Sequence, residues 1–221
     1  MIRKITAIKR QKRNPNRVNI YLDDDFAFGL SRIIAGWLDV GHEIDDEKII
    51  SLQAEDEQEV AYQRVLKFIS YRIRTEDEIR RNLIKHKVQS KVIDDVLQKL
   101  RRNGLVNDMK FAISWVENRN EFRPRAHRML AYELRQKGIT DEIISQTLDG
   151  ISSDEELAVK AAQNQVHKYM GLEWPNFRRK LIGFLARRGF SYNIISLVVD
   201  QVWAENRSQE KQWSNNKEVS S

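Results

Sequence analysis

Apolar residues fall at three- and four-residue steps along most of this chain, and the pattern can be laid over itself at a spacing of 51 residues. In the first copy the apolar anchors are Ala61, Ile79, Leu83, Val88, Val92, Ile93 and Leu97. They recur as Ala112, Leu130, Leu134, Ile139, Ile143, Ile144 and Leu148, and again as Leu181, Leu185, Phe190, Ile194, Ile195 and Val199. In the third copy Ala158 falls five residues early, which implies a longer first helix or a longer following loop. A tandem supersecondary unit buries its apolar face partly against its neighbour. The fold class this predicts is mainly α: tandem three-helix repeats forming an elongated curved array.

Punctuation between the periodic stretches sharpens the elements. The first repeat reads as helices over 57–71, 75–86 and 90–102, with Thr75 and Ser90 as N-caps, a Thr75–Glu78 capping-box pair and Gly104 as a C-terminal stop. Pro124 stands at a helix start in the second repeat, and Gly138 and Gly189 occupy equivalent turn positions in the second and third. Lys87 fills that position in the first, which predicts a less tight left-handed turn there. Before the repeats, alternating Ile5, Ala7 and then Val18, Ile20 and Leu22 flank Asn14-Pro15-Asn16, the signature of a β-hairpin. Short helices are predicted from Ser31 to Trp37 and over 46–54, the second opened by Asp45. The domain organisation is then a small N-terminal β-hairpin/α unit (1–56), three repeats (57–107, 108–152 and 153–206) and a disordered polar tail (207–221).

Composition narrows the class. The chain has 221 residues and no cysteine, so it has no disulfide framework, thiolate nucleophile or cysteine metal site, in keeping with a cytoplasmic protein. No apolar run approaches a membrane span, and Met1-Ile2-Arg3-Lys4 lacks a signal-peptide core. The formal charge of +6 is unevenly placed. Arg3, Lys4, Lys9, Arg10, Lys12, Arg13 and Arg17 precede the first acid, whereas acids dominate from Asp23 to Glu59, which suggests a basic hairpin beside an acidic connector.

The middle helix of each repeat carries recurring cations. If Ile79 and Leu83 face inward, Arg81 and Lys85 face away at about 100° per residue. The same arithmetic exposes Arg128 and Arg135 opposite Leu130 and Leu134, and Arg179 and Arg187 opposite Leu181 and Leu185. Such a stripe suits DNA phosphate or an acidic protein surface equally well. Arg72, Arg74, Arg123, Arg125, Arg188, Arg10, Lys12 and Arg13 are secondary candidates. Trp115, Phe111, Phe177, Phe184, Phe190 and Trp203 occupy apolar helical positions and read as core; Trp174, before Pro175, reads as a helix-entry staple.

Catalysis has little support. Gly-rich phosphate loops, Gly-x-Ser-x-Gly and His-Glu-x-x-His are absent from the sequence, and His42, His86, His127 and His167 lack ligand spacing. Asp94-Asp95 and Asp23-Asp24-Asp25 read as helix surface and turn rather than cation ligands. No cofactor and no metal site is expected.

Residues Gly104-Leu105-Val106-Asn107-Asp108, followed by Phe111-Ala112 and Arg119, resemble the junction of the first two repeats in RecX regulatory proteins. Arg72-Ile73-Arg74-Thr75 with Glu78-Ile79 is similar to the entry of that family's first middle helix, and Arg188-Gly189-Phe190 to its last turn. The stretch Ile5 to Gly29 resembles the basic hairpin of the longer members, and the likeness extends over about residues 1–206. Asn107 stands where an acid is frequent, and Ile79 where leucine is commoner. The resemblance implies a modulator of the RecA recombinase, generally an inhibitor, which lodges in the groove of the RecA filament on single-stranded DNA. It also implies a role in DNA repair, homologous recombination and the SOS response, and no catalytic residues. The expected partners are the RecA filament and single-stranded and double-stranded DNA, with no membrane and a monomeric chain. The alternative left open by the residues themselves is a stand-alone helix-repeat DNA-binding protein.

Overall fold

The structure, a computed structural model, describes the backbone of residues 1–218 and the side chains of residues 1–207. It divides into two units, Met1–Asn107 and Asp108–Ser221.

In the first unit, strands β1 (Arg3–Arg10) and β2 (Arg17–Leu22) pair antiparallel and form the expected hairpin. Its turn is held by Asn14, whose carbonyl accepts from the Arg17 amide at 3.1 Å and whose side chain accepts from the Asn16 amide at 3.1 Å. The sheet goes further than the hairpin. Strand β3 (Asp25–Ser31) pairs with β2, and β4 (Glu43–Ile44) with β1, giving the order β3-β2-β1-β4. Asp23 and Asp24 make the β2–β3 connection with φ of 49° and 74°, a two-residue turn of left-handed backbone that suits the strand twist. Ser31 then caps α1 (Arg32–Ala35), its hydroxyl accepting from the Ile34 amide at 3.3 Å.

Helix α2 runs unbroken over Asp46–Ile69, capped by Asp45, where the sequence pattern predicts two helices and an acidic break. Neither glycine nor proline interrupts it, and one acid at the presumed break, Asp56, is used internally. Asp56 is buried, accepting from the Ser31 amide and from Arg17 Nη2 at 2.8 Å. Ile49 and Leu52, in the first half of α2, join Ile5, Ile20 and Leu30 in the core beneath the sheet. Ala61 and Val65, in the second half, join Ile79, Leu83, Ile93 and Leu97 in the core of the first repeat. One helix therefore welds the sheet to the repeat.

Helices α3 (Glu76–Lys85) and α4 (Ser90–Arg102) complete that repeat. Thr75 caps α3, its hydroxyl accepting from the Glu78 amide at 3.2 Å. The N-cap of α4 is Gln89, with extended backbone (φ −64°, ψ 144°), which corrects the assignment to Ser90 by one residue. Gly104, at φ 65°, closes α4.

The second unit holds α5 (Asp108–Phe122), α6 (His127–Gln136) and α7 (Asp141–Leu148), then α8 (Asp154–Val166), α9 (Trp174–Arg187) and α10 (Tyr192–Glu218). Phe111, Ala112, Leu130, Leu134 and Ile144 form the core of the second repeat; Ala158, Phe177, Leu181, Leu185, Phe190, Ile195 and Val199 lie in that of the third. The early Ala158 is accommodated by a 3-10 turn at His167–Tyr169 and by an α9 that starts one turn ahead of Arg178, the equivalent of Glu76. Trp174 packs on Trp203, with ring centroids 5.2 Å apart, so it serves the core at the helix entrance. Helix α10 continues past Asn206 to Glu218, in place of the disordered tail predicted from Arg207. Val198, Val199, Val202 and Asn206 bury its inner face, and its sequence contains no glycine or proline. The Trp213 side chain and residues 219–221 lie outside the described residues.

Candidate functional site

The structure sorts the predicted cations by what they already hold. Arg81 is exposed and forms an ion pair with Asp77 one turn back on α3. Arg135 is exposed and donates to Asp141 at 2.7 Å. Arg179 donates to the Asn176 side chain at 3.1 Å and meets no carboxylate among the described residues. Lys85 and Arg187 are exposed, also with no carboxylate partner among the described residues.

Arg128 departs from the prediction of a free stripe residue. It lies at the start of α6, and its guanidinium donates to the carbonyl of Gly189 and, at 3.4 Å, to that of Phe190, both in the turn between α9 and α10. Its charge is spent on backbone that ends a helix, where carbonyls lack intrahelical partners. The same contact brings the second and third repeats together, because the Ala126 amide donates to the Arg188 carbonyl at 3.1 Å.

The secondary candidates divide in the same way. Arg72 meets Glu78 at 2.9 Å and Arg74 meets it at 3.8 Å, with the Arg74 guanidinium 4.0 Å from the centroid of the Phe68 ring. Arg125 forms an ion pair with Glu133, which also accepts from Arg119 Nε and from the Trp115 indole N–H, each at 2.8 Å. Arg188 is half-buried, donates to the Pro124 carbonyl at 2.9 Å and stacks on Phe184 with its guanidinium carbon 4.4 Å from the ring centroid. Burial, and then the positive charges of Arg125 and Arg123, hold the Arg188 guanidinium below the usual arginine range. Arg123, Arg10, Lys12 and Arg13 are exposed and meet no carboxylate among the described residues. The hairpin run is not uniform, since Arg17 is held by Asp56.

Glu133 organises the second repeat, yet its sequence context does not mark it. The only hint is Trp115 and Arg119 at i, i+4 on one face of α5, a spacing that lets both reach a single acceptor. Likewise Glu59 is buried in α2, accepting from Gln63 at 2.8 Å with Lys99 at 3.7 Å.

Four family models match the chain in order: the regulatory protein RecX N-terminal domain over residues 3–45, and the first, second and third RecX three-helix domains over residues 61–100, 107–148 and 153–199. The chain belongs to the RecX family. It is similar to regulatory protein RecX of Bacillus subtilis (strain 168), at 34% identity over 206 residues, 91% of this chain and 78% of that protein. RecX of Limosilactobacillus reuteri (strain DSM 20016) is 31% identical over 203 residues, 90% of this chain and 76% of that protein. Among solved structures, a crystal structure of regulatory protein RecX superposes with a TM-score of 0.69 at 30% identity, covering 90% of this chain and 99% of that one. The RecX structure from Lactobacillus salivarius gives a TM-score of 0.57 at 26% identity over 66% of this chain and 97% of that one. The RecX three-helix domains fall on the second half of α2 with α3 and α4, on α5–α7, and on α8–α10, as the internal repeat predicts.

Proposed function

We propose that this RecX-family chain regulates the RecA recombinase by binding the RecA–DNA filament, mainly inhibiting ATP hydrolysis, strand exchange and filament growth, with no catalysis of its own. The observation that carries the reading is the succession of four RecX domains along one chain. Support comes from cations without a carboxylate partner among the described residues: Lys85, Arg179 and Arg187 on the repeats, and Arg10, Lys12 and Arg13 on the hairpin. These can meet phosphate or an acidic protein face without first breaking an ion pair. The reading places the protein in the cytoplasm as a monomer.

The test compares binding to RecA-coated and to bare single-stranded DNA over a range of salt. The reading expects tighter binding to coated DNA, and a Lys85→Glu/Arg187→Glu variant that loses about tenfold or more, since reversing rim charges opposes encounter. Arg128 is left intact because its reversal would strip the α9–α10 turn. Equal affinity for bare and coated DNA, with log affinity falling about 0.7 per phosphate neutralised against log salt, would support a stand-alone DNA-binding protein instead.

A further inference from the structure

The first and second repeats share a junction between their first two helices: Tyr71-Arg72-Ile73-Arg74 in one and Phe122-Arg123-Pro124-Arg125 in the other. Both aromatic side chains stand in solvent, Tyr71 at 73% and Phe122 at 71% exposure. Their electrostatics differ. In the first repeat Glu78 neutralises Arg72 and Arg74 together. The equivalent position in the second repeat is Met129. Arg125 turns to Glu133 instead, a carboxylate already shared with Arg119; its Nε is buried with no hydrogen-bond partner, as is the Nε of Arg74 in the first repeat. Arg123 is left with no carboxylate among the described residues.

A further guanidinium enters from the α9–α10 turn. Arg188 is fixed there by the Pro124 carbonyl and the Phe184 ring, close enough to Arg123 and Arg125 for their charges to act on it. Arg119 and Arg125 thus share a single carboxylate, and Arg123 and Arg188 add two more guanidinium groups beside Arg125, neither with a carboxylate of its own among the described residues. Guanidinium groups held together in partial burial repel one another, and a phosphate, with several acceptor oxygens that match their planar forks, relieves that repulsion better than water.

We propose that Arg123, Arg125 and Arg188 form a phosphate-binding site on the second repeat, which takes a phosphodiester of single-stranded nucleic acid with an adjoining base stacked on Phe122. For its nucleic-acid occupant the site rests on the filament-binding reading above; for the phosphate it rests on these side chains alone. The first repeat, closed by Glu78, has no such site.

The experiment follows the Nε–Hε signals of Arg123, Arg125 and Arg188 by NMR in the full chain, titrated at constant ionic strength with inorganic phosphate, ATP or an oligothymidylate. All three signals are expected to move together with phosphate, and at lower concentration with oligothymidylate. Saturation by ATP below the oligothymidylate concentration would overturn the strand as occupant. In parallel, Arg123→Gln is expected to flatten the salt dependence of oligothymidylate binding by about 0.7 in log–log slope, the contribution of one phosphate on a single strand. Arg72→Gln is expected to leave that slope unchanged. Both substitutions are on exposed side chains, so folding is not at issue. Phe122→Ala is expected to weaken oligothymidylate binding at least about fivefold, the lower end for loss of one stacked base, while inorganic phosphate binding stays the same. Arginine signals that stay still under phosphate, or equal slopes for Arg72→Gln and Arg123→Gln, would overturn the site. A chain that leaves RecA unaffected but still shows the phosphate response would overturn the filament reading and not the site.

Discussion

Lys87, Gly138 and Gly189 hold one backbone position in three repeats, with φ of 61°, 78° and 92°. Each ends the middle helix in the same way: the amide of Val88, Ile139 or Phe190 donates to the carbonyl of Leu83, Leu134 or Leu185, at 3.2, 3.1 and 3.4 Å. That pattern requires a left-handed residue at the turn, and a side chain there costs about 1–2 kcal/mol. The turn in the first repeat is therefore as tightly wound as the others, and lysine bears strain there. Lys87→Gly should raise stability by about 0.5–1 kcal/mol once the larger unfolded-state entropy of glycine is subtracted, readable as a higher urea midpoint. Gly189→Ala should cost about 3 kcal/mol, more than Gly138→Ala at about 1–2 kcal/mol, because strain is joined by a clash. A Cβ on Gly189 would collide with Met129 Cγ. Arg128→Met should lose about 1–2 kcal/mol with its carbonyl contacts, and stability should fall before any change in partner binding. Glycine marks two of these turns in the sequence; the repeat spacing places the third at Lys87, but its side chain predicts a looser turn than the left-handed one it forms.

At the scale of elements, helical periodicity and caps were legible wherever local chemistry decides. Thr75, Asp45 and Ser31 each accept the amide expected of an N-cap. Two features escaped because tertiary contacts decide them. The Asp23-Asp24 turn lacks the glycine or asparagine that usually announces a two-residue hairpin, so β3 was hidden behind a run of acids. Helix α2 looked broken at Glu55-Asp56-Glu57, but Arg17 and the Ser31 amide arrive from the sheet and make Asp56 an interior residue. This pair is the main polar tie between sheet and helix. Asp56→Ala should destabilise the first unit by about 3 kcal/mol, the order expected when one member of a largely buried pair is removed, with Asp56→Asn in between. Urea unfolding of the full chain, compared with the exposed control Asp94→Asn, checks it; a loss equal to the control would remove Asp56 from this role.

At the scale of the whole molecule, the sequence supplies a charge of +6 and the structure decides which charges are available. Counting cations on helix faces placed Arg81, Lys85, Arg135, Arg179 and Arg187 on the surface, but it could not see that Asp77 and Asp141 neutralise two of them. Nor did it separate Arg123 from Arg72, since the difference lies in Met129 against Glu78, six residues further along the chain. Under the proposed function the unneutralised cations meet the partner, so reversing Lys85 and Arg187 should matter more than reversing Arg81 and Arg135. The most direct test of the central claim is RecA's single-stranded-DNA-dependent ATP hydrolysis, titrated with this protein well below one copy per RecA protomer. Strong inhibition at that ratio, relieved in the Lys85→Glu/Arg187→Glu variant, is the predicted result. Unchanged hydrolysis at equimolar protein, with tight binding to bare DNA, would contradict it.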